Sequence, residues 1–353
     1  MSSNIFCKMP FYFVEIFPNG DVFPCCPAYC NSYSFGNIYK QSFKDIWNGE
    51  KAQNFRKTMY ENRPRYCNIK TCFRKSMDYL QNKECIEEKI IMDKFPLAVK
   101  FSHDGECNYR CITCRDTLAK NSKDEIITLN KRIDTYFMQL LKDAKIVCLL
   151  GSGDPLASKH SRHLIRRISK EYTKIRFGLH TNGSLCTEPL LKSLGILNRL
   201  DHIQVSVHAS CKQSYEKITR EGIWKKILQN LEWIGKQHDL GLIKKFDMIF
   251  VVTPLNVQEI TTFSHLAKNF GAEAYFWEYR YWSGEFGINF DSVNILSPKH
   301  VAHKVLLTQL HNVYQDEHVY LSPKLMHIAI NYNKYHSFYK LFSFFIDGLR
   351  GQR

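Results

Sequence analysis

Six short apolar runs alternate with amphipathic stretches over residues 96–285, and this alternation restricts the fold of the 353-residue chain more than any other feature. Each run has the length of a β-strand, and most of the stretches between them have the spacing of an α-helix. Successive strand–helix units form a parallel sheet, because the crossover helices pack on its faces. We therefore predict an α/β fold whose parallel sheet is open or curled into a partial barrel. The predicted strands are 97–102, 145–151, 175–181, 202–208, 245–253 and 273–279, and the predicted helices are 124–143, 160–171, 187–197, 213–236 and 257–269.

The rest of the chain differs in character, which suggests four segments. Residues 1–75 form a cysteine-rich, turn-rich module, 76–95 a charged linker, 96–285 the barrel and 286–353 a helical extension. The last 18 residues, HSFYKLFSFFIDGLRGQR, are aromatic and basic. We expect them to form a helix that packs on the barrel, with contact to a membrane surface or a partner as the alternative.

Within the N-terminal module, two features have clear local patterns. Residues 11–17 and 21–23 predict a β-hairpin that turns at Asn19 and Gly20, because an Asn-Gly pair favours a tight turn. Residues 43–60 predict a helix. The module is therefore expected to be a hairpin followed by a helix, held together by its cysteines.

Charge and cysteine content narrow the function. The formal net charge is +15, but the basic residues are spread along the chain, so we expect an anionic substrate or partner and no nucleic acid. The sequence has neither a signal peptide nor an apolar run long enough to span a membrane, and we expect a cytoplasmic protein without a transmembrane segment. Thirteen cysteines in a reducing compartment favour metal binding or chemistry over disulfides.

Three of these cysteines lie close together after the first predicted strand, as Cys107-x₃-Cys111-x₂-Cys114. Three thiolates on a four-iron cluster leave one iron with an open coordination site, at which an exogenous ligand can bind. A zinc site, the alternative, would need a fourth ligand, for which His103 is a candidate.

The CxxxCxxC spacing after the first strand of a βα repeat resembles the radical S-adenosylmethionine (SAM) superfamily, over residues 97–285. The segment 150–155, LGSGDP, resembles the glycine-rich motif that contacts the SAM amino group, with Ser152 and Asp154 as departures. The segment 181–183, TNG, resembles the turn after the third strand, and His208 departs from the usual SxD segment. By resemblance, the SAM-binding residues are Gly151, Ser152, Gly153, Asp154, Ser206, Arg220 and Asn256.

The resemblance also implies a fold and a chemistry. The sheet would be a partial (β/α)₆ TIM-like barrel. A [4Fe–4S] cluster on Cys107, Cys111 and Cys114 would bind SAM and cleave it reductively, with an electron from a reductant such as flavodoxin or ferredoxin. The 5′-deoxyadenosyl radical formed in this way would abstract hydrogen from a substrate C–H bond.

The N-terminal module carries a second cysteine pattern, Cys7-x₁₂-Gly20-x₄-Cys25 followed by Cys67-x₄-Cys72. Together with GNI at 36–38 and IW at 46–47, it resembles the auxiliary-cluster module called twitch, a shortened SPASM domain, which usually follows the radical SAM domain. The resemblance implies a second [4Fe–4S] cluster, with a structural zinc site as the alternative. The implied ligands are Cys7, Cys25, Cys67 and Cys72, with Cys26 and Cys30 as rivals and Cys85 as a weaker one.

A second cluster can accept the electron left on a substrate radical. We therefore expect oxidation (dehydrogenation) or epimerisation of a polar, carbohydrate-type small molecule, which the basic balance allows to be anionic. Epimerisation needs a hydrogen donor, and the candidates are Cys148, Cys186, Cys211, Tyr279 and Tyr281. The three cysteines can equally be buried small apolar residues. The alternatives are a maturase of ribosomal peptides and a non-catalytic metal-binding interaction protein.

Overall fold

The structure is a computed structural model, and it describes residues 7–27, 30–61, 63–68, 72, 89–149, 153–279 and 293–332. Its strands form a single sheet, with every strand of the predicted α/β repeat present. The strands are β1 Phe13–Ile16, β2 Asp21–Phe23, β3 Gly36–Asn37, β4 Ala98–Phe101, β5 Ile146–Leu149, β6 Arg176–Thr181, β7 Leu200–Ser206, β8 Lys245–Val252, β9 Glu273–Glu278 and β10 Val319–Leu321.

The order of the strands in the sheet is β10-β9-β8-β7-β6-β5-β4-β1-β2-β3. Strands β4 to β9 are parallel to one another, and β10 extends them beyond β9. These six central strands are the ones predicted from the sequence, and the predicted α/β barrel-like fold is confirmed. Parallel strands in sequential order require a helical crossover between each pair.

The N-terminal hairpin is part of this sheet. It turns at Gly20, which has a φ of +87°. Glycine adopts this conformation readily because it has no Cβ. Strand β1 then pairs in parallel with β4, with Glu15 opposite Lys100. The hydrogen-bonded ladder therefore runs without a break from the N-terminal module into the barrel, and the division at residues 75 and 96 stays a prediction.

Helices connect the successive parallel strands of the sheet. The described helices are α1 Met9–Tyr12, α2 Phe43–Trp47, α3 Glu50–Tyr60, α4 Lys123–Arg132, α5 Lys159–Glu171, α6 Glu188–Ser193, α7 Lys212–Thr219, α8 Trp224–Asp239, α9 Ile260–Asn269, α10 His303–Val313 and α11 Pro323–Ile330. A π-helical turn, Ile133–Phe137, and a 3₁₀ turn, Met138–Leu141, continue α4. None of the described helices is both long and apolar enough to cross a membrane.

Two predicted helices are each divided in two. The predicted helix 43–60 breaks at Gly49, where a Cβ would lie 2.3 Å from the carbonyl oxygen of Asp45. The predicted helix 213–236 breaks after α7 at Arg220, which has a φ of +65°. A non-glycine residue rarely adopts this conformation, so the break is a feature of the tertiary structure rather than of helix propensity.

The two faces of the sheet differ in polarity. On the helix-covered face, Phe250 packs against Phe263 of α9, and Phe101 packs against Phe137. The alternate positions of the strands point to the opposite face, the interior of the curled sheet, and many of them are polar.

Candidate active site

The predicted cysteine loop lies at the carboxyl end of β4, where parallel sheets bind ligands. Burial, and then the nearby thiols of Cys107 and Cys114, raise the pKa of Cys111. Burial also raises the pKa of Cys107 to about 11. The backbone N–H of Tyr109 and the side-chain amide of Asn182 point at Cys107 Sγ, at 3.4 Å and 4.0 Å. The structure thus brings the three thiols together, with N–H groups directed at one sulfur.

Contacts from the end of α7 hold this loop in place. The carboxylate of Glu221 accepts a hydrogen bond from the backbone N–H of Arg110 at 2.9 Å. It also forms an ion pair with the Arg110 guanidinium. Arg220 lies 3.5 Å from the carboxylate of Asp116, two residues after Cys114. The unusual backbone at Arg220 therefore serves to turn both residues towards the cysteine loop.

The loop after β5 packs directly on the cysteine loop. A Cβ at Gly153 would lie 2.2 Å from the carbonyl oxygen of Glu106, so the close approach requires glycine. Asp154 is buried, and its carboxylate accepts hydrogen bonds from Thr181 Oγ1 and Asn182 N, both at 2.7 Å, and from two N–H groups of its own turn. Its carboxylate thus links the ends of β5 and β6. The contact of Asp154 with SAM stays a prediction. The predicted Gly151 and Ser152 lie outside the described residues.

Two further predicted SAM-binding residues are bonded within the protein. The side-chain amide of Asn256 donates to His208 O and Val251 O and accepts from Thr253, which fastens the end of β8 to the end of β7. Ser206 Oγ lies 2.8 Å from His180 Nε2 and faces the interior. Their roles towards SAM stay predictions.

Within the barrel interior, one group of charged and polar side chains lies on strands β1, β4, β5 and β7. Lys100 Nζ lies 2.9 Å from Glu15 Oε1, which also accepts a 2.6 Å hydrogen bond from Ser102. Beside them, Cys148 Sγ lies 3.9 Å from His202 Nε2. The His202 ring lies over Gly178, at which a Cβ would be 2.0 Å from the ring. Burial opposes protonation of His202, but the neighbouring Cys148 and Asp201 outweigh it and raise its pKa to about 9.

A second polar group lies on β8 and β9, beside the strand that carries His202. Lys245 Nζ lies 3.0 Å from Glu273 Oε2. Asp247 is almost fully buried and accepts a 2.8 Å hydrogen bond from Gln204 at Oδ2. Burial raises its pKa to about 6.

The interior residues Glu15, Lys100, His202 and Asp247 were not predicted from the sequence. Glu15, Lys100 and Asp247 each stand between two apolar residues of their strand, and a polar residue in a buried parallel strand is unusual. That exception to the apolar pattern was the available signal. The partner of each residue lies on another strand, however, so the sequence alone does not show which residues meet.

The structure separates the predicted hydrogen donors. Cys148 lies in the interior, whereas Cys186 is fully buried beyond β6 and Cys211 is exposed at the start of α7. Tyr279 follows β9 and is half-buried, and Tyr281 lies outside the described residues. His103 hydrogen-bonds His160 at 2.7 Å between the sheet and α5.

The N-terminal cysteines form a second group. A hydrogen bond to Cys30, then burial, and then the charges of Cys30, Cys7 and Cys67 raise the pKa of Cys25. Cys30 is fully buried, and Cys72 donates its backbone N–H to Asn68 O at 3.0 Å. Cys85 lies outside the described residues. Over the part of the chain that the structure describes, no three Cys, His, Asp or Glu side chains are arranged around a single metal ion.

The two cysteine groups lie at opposite ends of the barrel. Strand β2 is antiparallel to β1, so Cys25 and Cys26, just after β2, lie at the end where β1 begins. Strand β1 is parallel to β4, and Cys107 to Cys114 follow the end where β4 finishes. The polar interior lies between them.

Two family models match the chain. One describes the radical SAM superfamily and matches residues 102–267, and the other describes the SPASM iron–sulfur cluster-binding domain and matches residues 7–73. The chain therefore contains a radical SAM domain and a SPASM domain. Its radical SAM domain implies a [4Fe–4S] cluster with SAM, and its SPASM domain implies an auxiliary iron–sulfur cluster. The grouped thiols at each end of the barrel, with N–H donors at Cys107, fit such clusters.

This radical SAM chain is similar to several known proteins. It is 27% identical over 220 residues to a GTP 3′,8-cyclase of Peptoclostridium acidaminophilum. The aligned region covers 58% of this chain and 65% of the relative. It is 23% identical over 189 residues to an AdoMet-dependent heme synthase of Methanosarcina barkeri, which covers 53% of this chain and 51% of the relative. The chain thus spans between half and two thirds of the length of these relatives.

Two solved structures with bound S-adenosylmethionine also resemble the chain. SuiB of Streptococcus suis bound to S-adenosylmethionine matches with a TM-score of 0.42 and 16% identity, over 75% of this chain and 55% of that one. The protein anSMEcpe with bound AdoMet matches with a TM-score of 0.39 and 19% identity, over 62% of this chain and 59% of that one.

Proposed function

We propose that this radical SAM enzyme oxidises a carbinol carbon of a neutral, hydroxyl-rich small molecule of carbohydrate type that binds in the barrel interior. One observation carries the proposal: a polar interior lies between two cysteine groups at opposite ends of the barrel. Oxidation of a carbinol removes two electrons. When bound, the SAM-binding cluster with SAM supplies hydrogen abstraction and the auxiliary cluster an electron acceptor.

The interior residues support a ligand with several hydrogen-bond donors. Glu15 Oε2 and Asp247 Oδ1 are buried and have no hydrogen-bond partner among the described residues. A buried polar atom without a partner costs about 1–3 kcal/mol, so a ligand that donates a hydrogen bond to either oxygen would gain affinity. Hydroxyl groups supply such donors.

The charge balance of the interior supports a neutral ligand. Lys100 and Lys245 are each paired with a carboxylate, Glu15 and Glu273, within 3.0 Å. His202, whose pKa is raised to about 9, lies 3.8 Å from the carboxylate of Asp201. Neither ammonium group is therefore left with a full positive charge for a phosphate. The part of the substrate that lies in the barrel interior is proposed to be uncharged.

Asp247 is the residue that we assign to the hydroxyl proton. Conversion of a carbinol to a carbonyl releases that proton inside the barrel, where water cannot readily take it. Asp247 Oδ1 accepts no hydrogen bond among the described residues, Lys245 Nζ lies 3.8 Å from it, and burial raises the pKa of Asp247 to about 6. A carboxylate with a pKa near the working pH accepts and returns a proton efficiently.

Epimerisation is the second candidate, and one observation favours it. The Cys148 thiol lies in the interior, next to His202. A thiol can donate a hydrogen atom to a substrate radical, which would return it to the C–H state with inverted configuration. The thiyl radical left on Cys148 would then regain the thiol by taking one electron from the reductant and one proton from solvent.

The test is turnover of defined compounds by the anaerobically reconstituted enzyme with SAM and dithionite. We would assay 5′-deoxyadenosine with cyclitols, aminocyclitols and hexoses deuterated at a carbinol carbon, and with a peptide panel. Deuterium in 5′-deoxyadenosine together with a ketone product supports oxidation. Deuterium transfer with an inverted alcohol, abolished in Cys148→Ala, would favour epimerisation. Turnover of peptides alone would overturn both.

A control separates enzyme from binding protein. The variant Cys107→Ala/Cys111→Ala/Cys114→Ala should form no 5′-deoxyadenosine. If the wild-type protein also cleaves no SAM and binds zinc at both ends of the barrel, the enzyme proposal fails.

A further inference from the structure

A buried ion pair joins the N-terminal module to the barrel. Glu15 of β1 lies directly opposite Lys100 of β4 in the parallel ladder, and their charged groups are 2.9 Å apart. Only 3% of Glu15 is exposed. Burial of an ion pair costs several kcal/mol of desolvation per ion, and apolar pairs often replace one without loss of stability. Stability alone therefore gives little reason for charges at this position.

The pair lies next to the auxiliary cysteines. Glu15 is also directly opposite Phe23 in the antiparallel ladder of β1 and β2, and Cys25 follows Phe23 by two residues. Two residues of extended chain span about 7 Å. The pair therefore lies about two extended residues along the strand from Cys25, an implied ligand of the auxiliary cluster.

Electrostatic interactions also link the pair to both sides. Burial lowers the pKa of the Lys100 ammonium, but the negative charges of Glu15, Cys26 and Cys148 outweigh burial and raise it. Cys26 belongs to the auxiliary group and Cys148 to the barrel interior. Lys100 thus interacts electrostatically with both the auxiliary cysteines and the barrel interior.

We propose that the Glu15–Lys100 ion pair tunes the reduction potential of the auxiliary cluster. One-electron reduction adds one negative charge to the cluster. A nearby positive charge favours the reduced state and a nearby negative charge opposes it, and both effects are strong where water is excluded. Because Lys100 and Glu15 act in opposite directions, the potential depends on their balance.

The experiment is a redox titration of the holoenzyme, monitored by electron paramagnetic resonance. Added SAM changes the signal of the cluster on Cys107, Cys111 and Cys114, so the signal that SAM does not change reports the auxiliary cluster. We expect Lys100→Met to lower the midpoint potential and Glu15→Gln to raise it. A tenfold change in the ratio of reduced to oxidised cluster corresponds to about 59 mV for a one-electron couple.

Matched variants make the outcome decisive. Lys245→Met removes a lysine that is also paired with a carboxylate but is four ladders from Lys100 along the sheet, and it should leave the midpoint unchanged. Glu15→Gln keeps the shape of the side chain, and it decides the matter if Lys100→Met loses iron. Unchanged midpoints in both variants, or shifts of the same sign, would overturn the proposal. No substrate is needed, so this result is independent of the proposed oxidation.

Discussion

At the scale of single residues, Asp247 shows how the barrel interior departs from an ordinary core. It is almost fully buried on β8, with Lys245 on the same strand, His202 and Gln204 on β7, and Glu273 on β9 around it. Tyr275 and Tyr320 complete its titratable surroundings. Burial outweighs these partners, so the neutral form of Asp247 is favoured relative to an exposed carboxyl.

This shift predicts a pH-dependent stability. The folded pKa of Asp247 is about 6, above the unfolded value, so the folded state binds more protons and loses stability as the pH rises through 6. The wild type should lose roughly 1.4 kcal/mol between about pH 5 and about pH 8 that Asp247→Asn retains, since one pKa unit corresponds to this amount. Chemical unfolding of both proteins under anaerobic conditions measures the difference, and parallel pH curves would contradict it.

At the scale of elements, the loops after β4 and β5 form one unit. Gly153 touches the backbone of Glu106, and Asp154 N donates to Glu106 O at 2.8 Å. The glycine is therefore a packing requirement of the cysteine loop, whether or not it also lies near SAM.

This contact gives a prediction with an internal control. The methyl group in Gly153→Ala collides with a backbone carbonyl and should displace the cysteine loop, at a cost of about 1–3 kcal/mol. A misplaced reacting group slows catalysis by roughly tenfold to a hundredfold, which the rate of 5′-deoxyadenosine formation measures. Gly105→Ala, in the same loop, has nothing within 4 Å of its added methyl group and should behave as the wild type. Equal rates in both variants would show that the contact does not matter.

The elements also show what the sequence can predict. The strands β4 to β9 and the spacing of Cys107, Cys111 and Cys114 are local patterns, and the sequence predicts them directly. The Glu15–Lys100 pair and the position of His202 over Gly178 depend on strands far apart in the chain, so local patterns do not reveal them. The break at Arg220 is likewise invisible, since nothing in helix propensity favours a left-handed arginine.

At the scale of the whole molecule, two cysteine groups share one sheet but belong to different ends of it. We therefore expect the two clusters to load separately. Cys107→Ala/Cys111→Ala/Cys114→Ala should lose about four of about eight irons and keep the rest, because the auxiliary thiols lie at the other end of the barrel. Iron and sulfide analysis of the reconstituted variant measures this, with Cys211→Ala, an exposed cysteine, as the control. Loss of all iron would mean that the sheet needs both clusters to fold.

The pairing of β1 with β4 also has a consequence for biosynthesis. Glu15 leaves the ribosome 85 residues before Lys100, the residue opposite it in the ladder. At 5–20 residues per second, this interval is roughly 4 to 17 s, during which the edge of the nascent hairpin has no strand beside it. An unpaired edge is a template for association between chains. The first 75 residues made as a separate fragment would lack β4 beside β1, so we expect that fragment to associate with other chains more readily than the whole protein does.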